Sequence, residues 1–361
     1  MAPLTSSDPA SEPASEPASG PAAAIAALVR KVDADPRSGE VLWRVRSDDG
    51  AVDVTYGNPG RRFFIASATK LYVTAILAQL RAEGRLDWDA PIAPYLPDLD
   101  LAGILVVKGG DRSSGMTVHE VMAHTSGLAD YFEGRRPDGP TTIERAIAAD
   151  FGWTVADVIA WTKLMRPGTP GKGLYSDTGY QLLGALIERL TGRSFGDAVA
   201  ARITRPLGMT STSVFGPADV IRHDETSAMR WGDAPLRIPL AMASVQADGG
   251  VVSTLDDGMA FVDAFFGGRL FPAALLAEMQ RDWHRIFFPL QYGTGIMRFT
   301  MPRVLTGFRA VPPFIGHSGA SGTVMFRAAD IGLTIVGTVN QAKHRSMPYQ
   351  LMVRTALAAR R

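Results

Sequence analysis

The sequence predicts a mixed α/β fold of the α+β type, in which one antiparallel sheet flanked by helices carries an inserted helical domain. Two observations lead to this prediction. Apolar segments that are typical of strands lie near both ends of the chain, at residues 41–65, where Val41–Arg46 and Val52–Tyr56 alternate or nearly so, and at residues 323–338. The segment between them has apolar residues at helical spacing, separated by long loops rich in glycine and proline. One sheet built from both ends of the chain accounts for this order.

The same patterns divide the chain into three parts. Residues 1–21 are rich in Ser, Pro, Ala and Glu and repeat the unit Ala-Ser-Glu-Pro, so they predict a disordered low-complexity tail. Residues 22–66 and 240–361 form the predicted sheet domain, and residues 67–239 form a mainly helical domain whose loops border the functional site. With 361 residues, of which 46% are hydrophobic, the chain can bury a sizeable core.

In the first part of the chain, a helix is predicted over residues 22–33. The segments Val41–Arg46 and Val52–Tyr56 flank the turn-forming sequence Ser-Asp-Asp-Gly and predict a hairpin. A short apolar strand, Arg62–Ile65, follows. Apolar residues at helical spacing then predict a helix from Ser67 to Glu83, which a glycine ends.

The rest of the chain is predicted to be helical as far as the last two strands. The predicted helices are Thr117–Met122, Val155–Leu164, Gly179–Leu190, Phe195–Arg205, 256–266, 272–282 and 346–359. The two strands are Thr323–Ala328 and Leu333–Thr338. Residues 128–152, 166–176 and 281–314 are predicted loops, and loops of such length in a compact enzyme often form lids or the walls of a site.

Charge and cysteine content exclude several classes of function. A net charge of +1 and the absence of any run of five basic residues argue against a nucleic-acid partner. The chain has no cysteine, so it has no disulfide, no thiolate zinc site and no cysteine nucleophile. We expect neither a metal nor a cofactor.

The N-terminal segment does not have the pattern of an export signal. No Lys or Arg precedes Arg30, and the apolar run Ala22–Val29 is far shorter than the roughly 20 residues that cross a bilayer. We therefore expect a cytoplasmic protein without a membrane segment, and a non-standard export route stays open.

The sequence Ser67-Ala68-Thr69-Lys70 is the first candidate catalytic motif and the only Ser-x-x-Lys in the chain. Residues three apart share a face of a helix, so the Lys70 amine can reach the Ser67 hydroxyl. A serine at the start of a helix also lies where backbone N–H groups and the helix dipole stabilise negative charge. An amine beside a hydroxyl can act as its general base. This spacing therefore predicts a serine nucleophile with a lysine partner.

Ordered motifs make the chain resemble the penicillin-recognising serine hydrolases, which include class C β-lactamases, DD-peptidases, D-aminopeptidases and related esterases. Phe64–Lys70 resembles their first motif. Tyr175-Ser176-Asp177 resembles the second, Tyr-x-Asn, and His317-Ser318-Gly319 resembles the third, Lys-Thr-Gly or His-x-Gly. Further similar segments are Val118–Leu128, Pro206–Met209, Gly249–Thr254 and Tyr292–Gly295, so that the likeness covers residues 25–360.

The resemblance implies a β-lactamase/transpeptidase-like fold and an enzyme that forms an acyl-Ser67 intermediate. Tyr175 would share proton transfer with Lys70. The backbone N–H groups of Ser67 and Ala320, on an edge strand, would form the oxyanion hole. The pocket would be lined by His317, Ser318, Gly319 and Asp177, with His317 bonded to Tyr175 or to the substrate.

Two departures from the family motifs refine this expectation. Asp177 stands where asparagine is usual, and a carboxylate there favours the ammonium form of Lys70, which shifts the role of base towards Tyr175. Asp177 could equally be a helix cap. His317 replaces a lysine and removes a permanent cation from the pocket. The expected enzyme is therefore an esterase, an amidase, or a D-aminopeptidase- or carboxypeptidase-like enzyme that acts on a small-molecule ester or amide. It is not expected to be a dedicated β-lactamase.

Two other functions stay open from the sequence alone. The same acyl-enzyme could transfer its acyl group to an amine or alcohol in a biosynthetic pathway. The chain could also be a catalytically silent protein that binds a ligand or assembles, and its oligomeric state is not predicted.

Two competing motifs fail on geometry. His119 and His124 are five residues apart and cannot share a metal on a helix, and Gly192–Gly196 follows a helix where a nucleophile elbow needs a strand. His124 is expected to be structural.

Overall fold

An eight-stranded antiparallel sheet forms the centre of the structure, a computed structural model that describes residues 20–360. Residues 1–19 and 361 lie outside the described residues, and with them most of the predicted tail. The strands among residues 20–360 are β1 Leu42–Ser47, β2 Asp53–Tyr56, β3 Phe63–Phe64, β4 Val106–Val107, β5 Gly110–Asp111, β6 Ser213–Val214, β7 Met229–Trp231, β8 Ala234–Leu236, β9 Val251–Ser253, β10 His284–Phe287, β11 Leu290–Tyr292, β12 Met297–Phe299, β13 Phe314–Gly319, β14 Thr323–Ala328 and β15 Leu333–Thr338.

The strand order of the central sheet joins the two ends of the chain. The order is β10-β11-β12-β13-β14-β15-β1-β2, and all neighbours run antiparallel. The first hairpin therefore pairs with the last strand, with Leu42 opposite Thr338 and Ser47 opposite Leu333. This arrangement confirms the prediction of one antiparallel sheet built from both ends of the chain.

Helices cover both faces of the sheet and make up most of the inserted segment. They are α1 Pro21–Asp33, α2 Thr69–Ala82, α3 Val118–Met122, α4 Thr142–Ala148, α5 Val155–Lys163, α6 Asp177–Thr191, α7 Phe195–Val199, α8 Arg205–Leu207, α9 Pro239–Ser244, α10 Gln246–Gly249, α11 Leu255–Phe266, α12 Ala273–Met279 and α13 Met347–Ala359, with a π-helical turn at Ala200–Thr204 between α7 and α8. None of the helices in residues 20–360 combines the length and the apolarity that a membrane span requires.

The two faces of the sheet bury different cores. On one face, Val29 of α1 and Leu351 of α13 pack in the same core as Phe326 of β14. On the other face, Phe261 of α11 shares a core with Met325 of the same strand. Adjacent residues of a strand point to opposite faces, so the apolar pairs of β14 serve both cores at once. A sheet covered on both faces is therefore rigid where it borders the site.

Helix α2 lies between the sheet and the helical domain and is enclosed on every side. Eleven of its fourteen residues are buried, which is the pattern of a helix that is covered all round. Thr74 Oγ1 donates to the Gly295 carbonyl at 2.8 Å, which ties the helix to the turn between β11 and β12. The start of α2 is therefore fixed relative to the sheet, and the candidate catalytic residues lie at that start.

Most elements match the prediction, and two predicted loops do not. Both bounds of β14 and β15 are as predicted, and so are the first hairpin and the order of the long helices. The predicted loop 128–152 contains α4, which begins at a capping box formed by Thr141 and Glu144. The predicted loop 281–314 contains β10, β11 and β12, which are too short for a clear alternating pattern. The predicted domain boundaries, at residues 66–67 and 239–240, stay predictions.

Candidate active site

Ser67 lies on a tight turn that connects strand β3 to helix α2. The turn is a short 3-10 helix, Ala66–Ala68, and not the first turn of an α-helix as predicted. Ala66 has a φ of 46°, in the left-handed region that residues with a side chain rarely adopt. Backbone strain of this kind is common at functional sites. The Ile65 N–H anchors the turn by donating to the Val251 carbonyl at 3.0 Å. Ser67 is thereby held at the N-terminal end of α2.

Strand β13 passes unusually close to this turn because residue 319 is glycine. A Cβ atom at that position would come about 1 Å nearer to the Ile65 carbonyl oxygen than the 3.0 Å limit of real Cβ contacts. The close approach brings Ala320, which follows directly, to the cavity that Ser67 lines. Within residues 20–360, the Ala320 N–H donates to no other backbone group. An unused donor beside Ser67 is what an oxyanion hole requires.

The prediction that β13 is an edge strand is wrong for the strand as a whole, because it lies fourth among eight. Its pairing with β12 ends at Gly316, opposite Met297, whereas its pairing with β14 continues to Gly319. Residues 317–319 therefore extend beyond the end of β12 with one side unpaired in the sheet. This local free edge faces the turn that carries Ser67.

Lys70 is fully buried and paired. Its Nζ donates to Asp177 Oδ1 at 2.6 Å and to the Asp248 carbonyl at 2.7 Å. The Nζ atom also lies 5.0 Å from the centre of the Tyr175 ring and 5.1 Å from that of Tyr180. These contacts place the Lys70 side chain between the Asp177 carboxyl and the two tyrosine rings. The paired lysine is therefore the central cation of the site.

Asp177 is a pocket residue and not a helix cap. Ser176 occupies the N-cap position of α6, and Asp177 is the first residue of the helix. Its side chain is almost fully buried, bonds to Lys70 and lines the cavity. Burial raises the pKa of Asp177 above its ordinary value, and the charge of Lys70 acts in the opposite direction. The structure thus resolves the alternative that the sequence left open.

Tyr175 lies against both Ser67 and the lysine pair. Its hydroxyl lies close enough to Ser67 for the serine to influence its pKa. Burial and the negative charge of Asp177 raise the pKa of Tyr175 well above its ordinary value, while the interaction with Ser67 lowers it. The resting side chain is therefore a neutral phenol. Lys70 alone would stabilise a phenolate, but Asp177 offsets its charge.

Sequence reasoning missed two further carboxyl groups near Asp177, the partly exposed Asp130 and the buried Asp248. Asp130 accepts the backbone N–H groups of Phe132, Glu133 and Asp177 at 3.1, 3.2 and 3.1 Å. Burial and the charge of Asp177 raise its pKa to about 8. Asp130 therefore joins the start of α6 to the loop that forms one wall of the cavity.

Asp248 lies on the other side of Lys70 from the cavity. Its Oδ2 accepts from Tyr131 Oη at 2.8 Å and from Gln181 Nε2 at 3.0 Å. Burial and the charge of Asp177 raise the pKa of Asp248 well above its ordinary value. The charge of Asp177, which is paired with Lys70, therefore acts on both Asp130 and Asp248.

The prediction that His317 lines the pocket is wrong. Its side chain is fully buried, and Nε2 lies 2.9 Å from Tyr292 Oη, with Nδ1 2.6 Å from the Ser318 carbonyl. A carbonyl can only accept, so Nδ1 carries the proton and Tyr292 donates to Nε2. Burial and the charge of Lys70 lower the pKa of His317 to about 3. Adjacent side chains of a strand point to opposite faces, and it is Ser318 that reaches the cavity.

His124 supports Tyr175 from behind, which agrees with its expected structural role. Its Nδ1 accepts the Ser176 N–H at 3.2 Å, and its ring lies 4.3 Å from that of Tyr175 and 4.4 Å from that of Tyr292. Burial lowers the pKa of His124 well below its ordinary value. A neutral histidine therefore packs under Tyr175.

These residues surround a cavity of about 160 Å³. Six of the predicted site residues line it, and Lys70 lies beneath them. The lining residues are Ser67, Tyr175, Asp177, Ser318, Gly319, Ala320, Phe132, Glu133, Phe287, Met297, Arg345 and Tyr349. No three His, Asp or Glu side chains in residues 20–360 are arranged to hold a metal ion. The structure thus assembles the predicted set except His317, and the catalytic roles stay predictions.

The only cation on the cavity wall among the described residues, Arg345, is paired with a carboxylate. Its guanidinium forms a two-pronged ion pair with Glu133, in which Nη1 lies 3.0 Å from Oε2. Two other arginines lie elsewhere: Arg298 bonds to Gln291, and Arg309 lies away from the cavity. No local pattern marks Arg345, because the fold alone brings it to Glu133.

Two curated relatives of this chain carry the names of hydrolases. Esterase EstB of Burkholderia gladioli is 31% identical over 192 residues, which are 50% of this chain and 46% of the relative. A putative D-alanyl-D-alanine carboxypeptidase of Escherichia coli (strain K12) is 33% identical over 165 residues, 44% of this chain and 35% of the relative. The chain thus spans less than half the length of these two curated relatives.

The fold comparison extends over almost the whole chain. The structure of the D-amino acid amidase of Ochrobactrum anthropi SV3 superposes with a TM-score of 0.75 at 22% identity, covering 93% of this chain and 97% of that one. This likeness confirms the predicted fold. The family model described as Beta-lactamase matches residues 26–359. Because that match includes nearly all of the described residues, the chain belongs to the Beta-lactamase family.

Proposed function

We propose that the protein is a serine hydrolase that cleaves a small-molecule ester or amide through an acyl-Ser67 intermediate. One observation carries the proposal: Ser67 and Tyr175 lie close together on the wall of one cavity, Lys70 is buried three residues further along the chain, and Ala320 borders the same cavity. These are the parts that acyl transfer needs, a nucleophile, a proton acceptor and a donor for the oxyanion. The names esterase, carboxypeptidase and amidase among the relatives support the same reaction class.

In the acylation step, Ser67 Oγ attacks the carbonyl carbon of the substrate and loses its proton to Tyr175. The phenol of Tyr175 is neutral at rest, so its own proton passes to Lys70, and Lys70 passes one proton along the 2.6 Å bond to Asp177. The raised pKa of Asp177 makes it a suitable acceptor. The N–H groups of Ser67 and Ala320 stabilise the oxyanion. The protons return along the same path when the leaving alcohol or amine departs.

In the deacylation step, a water molecule takes the place of the leaving group. Its proton moves to Tyr175 as the hydroxide adds to the acyl carbon, and Ser67 regains a proton when the acid is released. The same intermediate passes its acyl group to an amine or alcohol if that acceptor reaches the carbon before water. Phe132 and Phe287, from the two predicted loops, border the cavity.

The pocket is better suited to uncharged esters than to substrates that carry a carboxylate. His317 is neutral and buried behind Tyr292, and Arg345 is already paired with Glu133. No free cation lines the cavity among the described residues, so a substrate carboxylate would have to compete with Glu133 for Arg345. This arrangement supports an esterase or amidase over a dedicated β-lactamase.

Turnover of a substrate panel by matched serine variants tests the proposal. Wild-type protein should hydrolyse p-nitrophenyl acetate or D-amino acid amides, and Ser67→Ala should lose the activity while remaining folded. Ser194→Ala is the control, because Ser194 caps α7 and lies in the competing Gly-x-Ser-x-Gly motif. Loss of activity in Ser194→Ala with retention in Ser67→Ala would overturn the assignment. Absence of turnover or of a Ser67 adduct with every substrate would favour a catalytically silent protein, and product formed with an added amine would indicate acyl transfer.

A further inference from the structure

We propose that an apolar groove beside the catalytic cavity binds the hydrocarbon chain of the substrate's acyl group. The preferred substrates would then be esters of linear aliphatic acids, whose acyl group is transferred to Ser67. The inference rests on the proposed acyl-Ser67 chemistry and specifies its substrate class. The groove has a volume of about 460 Å³ and lies between the end of β12 and helix α13.

The walls of the groove are suited to hydrocarbon. One wall consists of Phe299, Met301 and Leu305, and the other of Val353 and Leu357 of α13. The one charged group at the groove, Arg354, is exposed to solvent, and the remaining polar groups are uncharged. Leu305 is 59% exposed, so apolar surface is left uncovered at the rim of the groove. Uncovered apolar surface of this kind commonly marks a ligand-binding groove.

The groove adjoins the catalytic cavity at Tyr349, which lines both. The ring of Tyr349 stacks on Phe299 with centroids 5.4 Å apart and an angle of 8°, and its hydroxyl bonds to Ser318 in the cavity. Met297 and Phe299 are two residues apart on β12 and so face the same side. Met297 lines the cavity and Phe299 lines the groove. Apolar side chains on one face of β12 therefore lead from the cavity wall to the groove wall.

Volume also favours an occupant that extends past the cavity. The cavity of about 160 Å³ is smaller than the roughly 300–1,000 Å³ of ordinary ligand sites, and the groove supplies the missing space. The acyl group stays covalently attached after the leaving group has gone, so it gains most from a site that continues from Ser67. A linear chain can follow the path past Tyr349 into the groove.

A chain-length series tests the proposal. The kcat/KM for p-nitrophenyl acetate, butyrate, hexanoate and octanoate should rise by up to about fourfold for each methylene that becomes buried. Val353→Arg, which fills the groove with a long charged side chain, should lower the octanoate-to-acetate ratio at least tenfold. Leu305→Ser, at the exposed rim, should lower the ratio less and is the variant that is safest for folding. Val106→Arg changes an exposed apolar residue far from the site and should leave the ratio unchanged.

Three kinetic outcomes would overturn the proposed role of the groove. They are a kcat/KM that does not change with acyl length in the wild type, an octanoate-to-acetate ratio that is unchanged in both groove variants, and a preference that follows the length of the alcohol and not of the acyl group. A change of oligomeric mass in Val353→Arg without any change of ratio would identify the groove as an interface between copies of the chain and would also overturn it. Failure of the proposed function is distinct, because then no ester is hydrolysed in a Ser67-dependent way, whereas failure of the groove alone leaves acetate turnover intact.

Discussion

Replacing Gly319 with alanine would push strand β13 away from the turn that carries Ser67. The new Cβ atom would overlap the Ile65 carbonyl oxygen by about 1 Å relative to the closest real contacts and would lie 3.1 Å from Ala66 Cβ. Because backbone atoms of the turn cannot rotate away, the strand must shift by a similar distance, and the Ala320 N–H shifts with it. An oxyanion donor must lie about 2.7–3.1 Å from the oxygen, so a shift of about 1 Å removes it. We expect kcat to fall by about 10²–10³-fold.

The assay is steady-state hydrolysis of p-nitrophenyl acetate by the wild type, Gly319→Ala and a control, Gly115→Ala. A Cβ atom at Gly115 meets nothing within 4 Å, so this control should keep full activity. Overpacking at residue 319 should also lower the free energy of unfolding by about 1–3 kcal/mol, which urea titration would measure. A folded Gly319→Ala protein whose kcat stays within about threefold of the wild type would refute the assignment of the oxyanion hole.

Three further predictions concern the charges around the cavity. Tyr175→Phe and Lys70→Ala should each lower kcat by at least about 10²-fold, and the double variant should be little worse than the more damaging single one, since additive losses would show that the two residues act separately. Glu133→Gln should free Arg345 and raise kcat/KM for nitrocefin relative to p-nitrophenyl acetate by on the order of fivefold, which corresponds to about 1 kcal/mol for an exposed ion pair; an unchanged ratio would contradict the idea that Glu133 occupies the anchor. Burial and the charge of Asp177 raise the pKa of Asp130 from 3.8 to about 8, so between these values the unfolded chain is ionised there and the folded protein is largely protonated. The free energy of unfolding should therefore fall by up to about 1.4 kcal/mol per pH unit as the pH rises through that interval. Urea titrations at several pH values should show a smaller decline for Asp130→Asn, and equal declines would contradict this reasoning.

Local patterns were sufficient for the elements whose geometry is local. Strands β14 and β15 follow from two short apolar runs joined by a turn, and their predicted bounds are the observed ones. The spacing of Ser67 and Lys70 likewise depends on a single turn of chain, and the structure keeps both at the start of α2.

Features that depend on distant contacts could not be predicted in this way. Arg345 meets Glu133 across 212 residues of sequence, and the Asp248 carbonyl meets Lys70 across 178. The error at His317 has a related cause. A motif identifies the residues near a site, but the twist and pairing of β13 decide which side chains face the cavity. Residue 317 faces the buried Tyr292, and its neighbour Ser318 faces the cavity.

The site at Ser67 is tested most directly by trapping the acyl-enzyme. The protein is quenched in acid during turnover of p-nitrophenyl acetate, and its intact mass and peptide map are measured. We predict a species heavier by one acetyl group, with the modification on the peptide that contains Ser67, and no such species from Ser67→Ala. An acetyl group on Ser126 or Ser194 in place of Ser67, or full turnover by Ser67→Ala, would contradict the account.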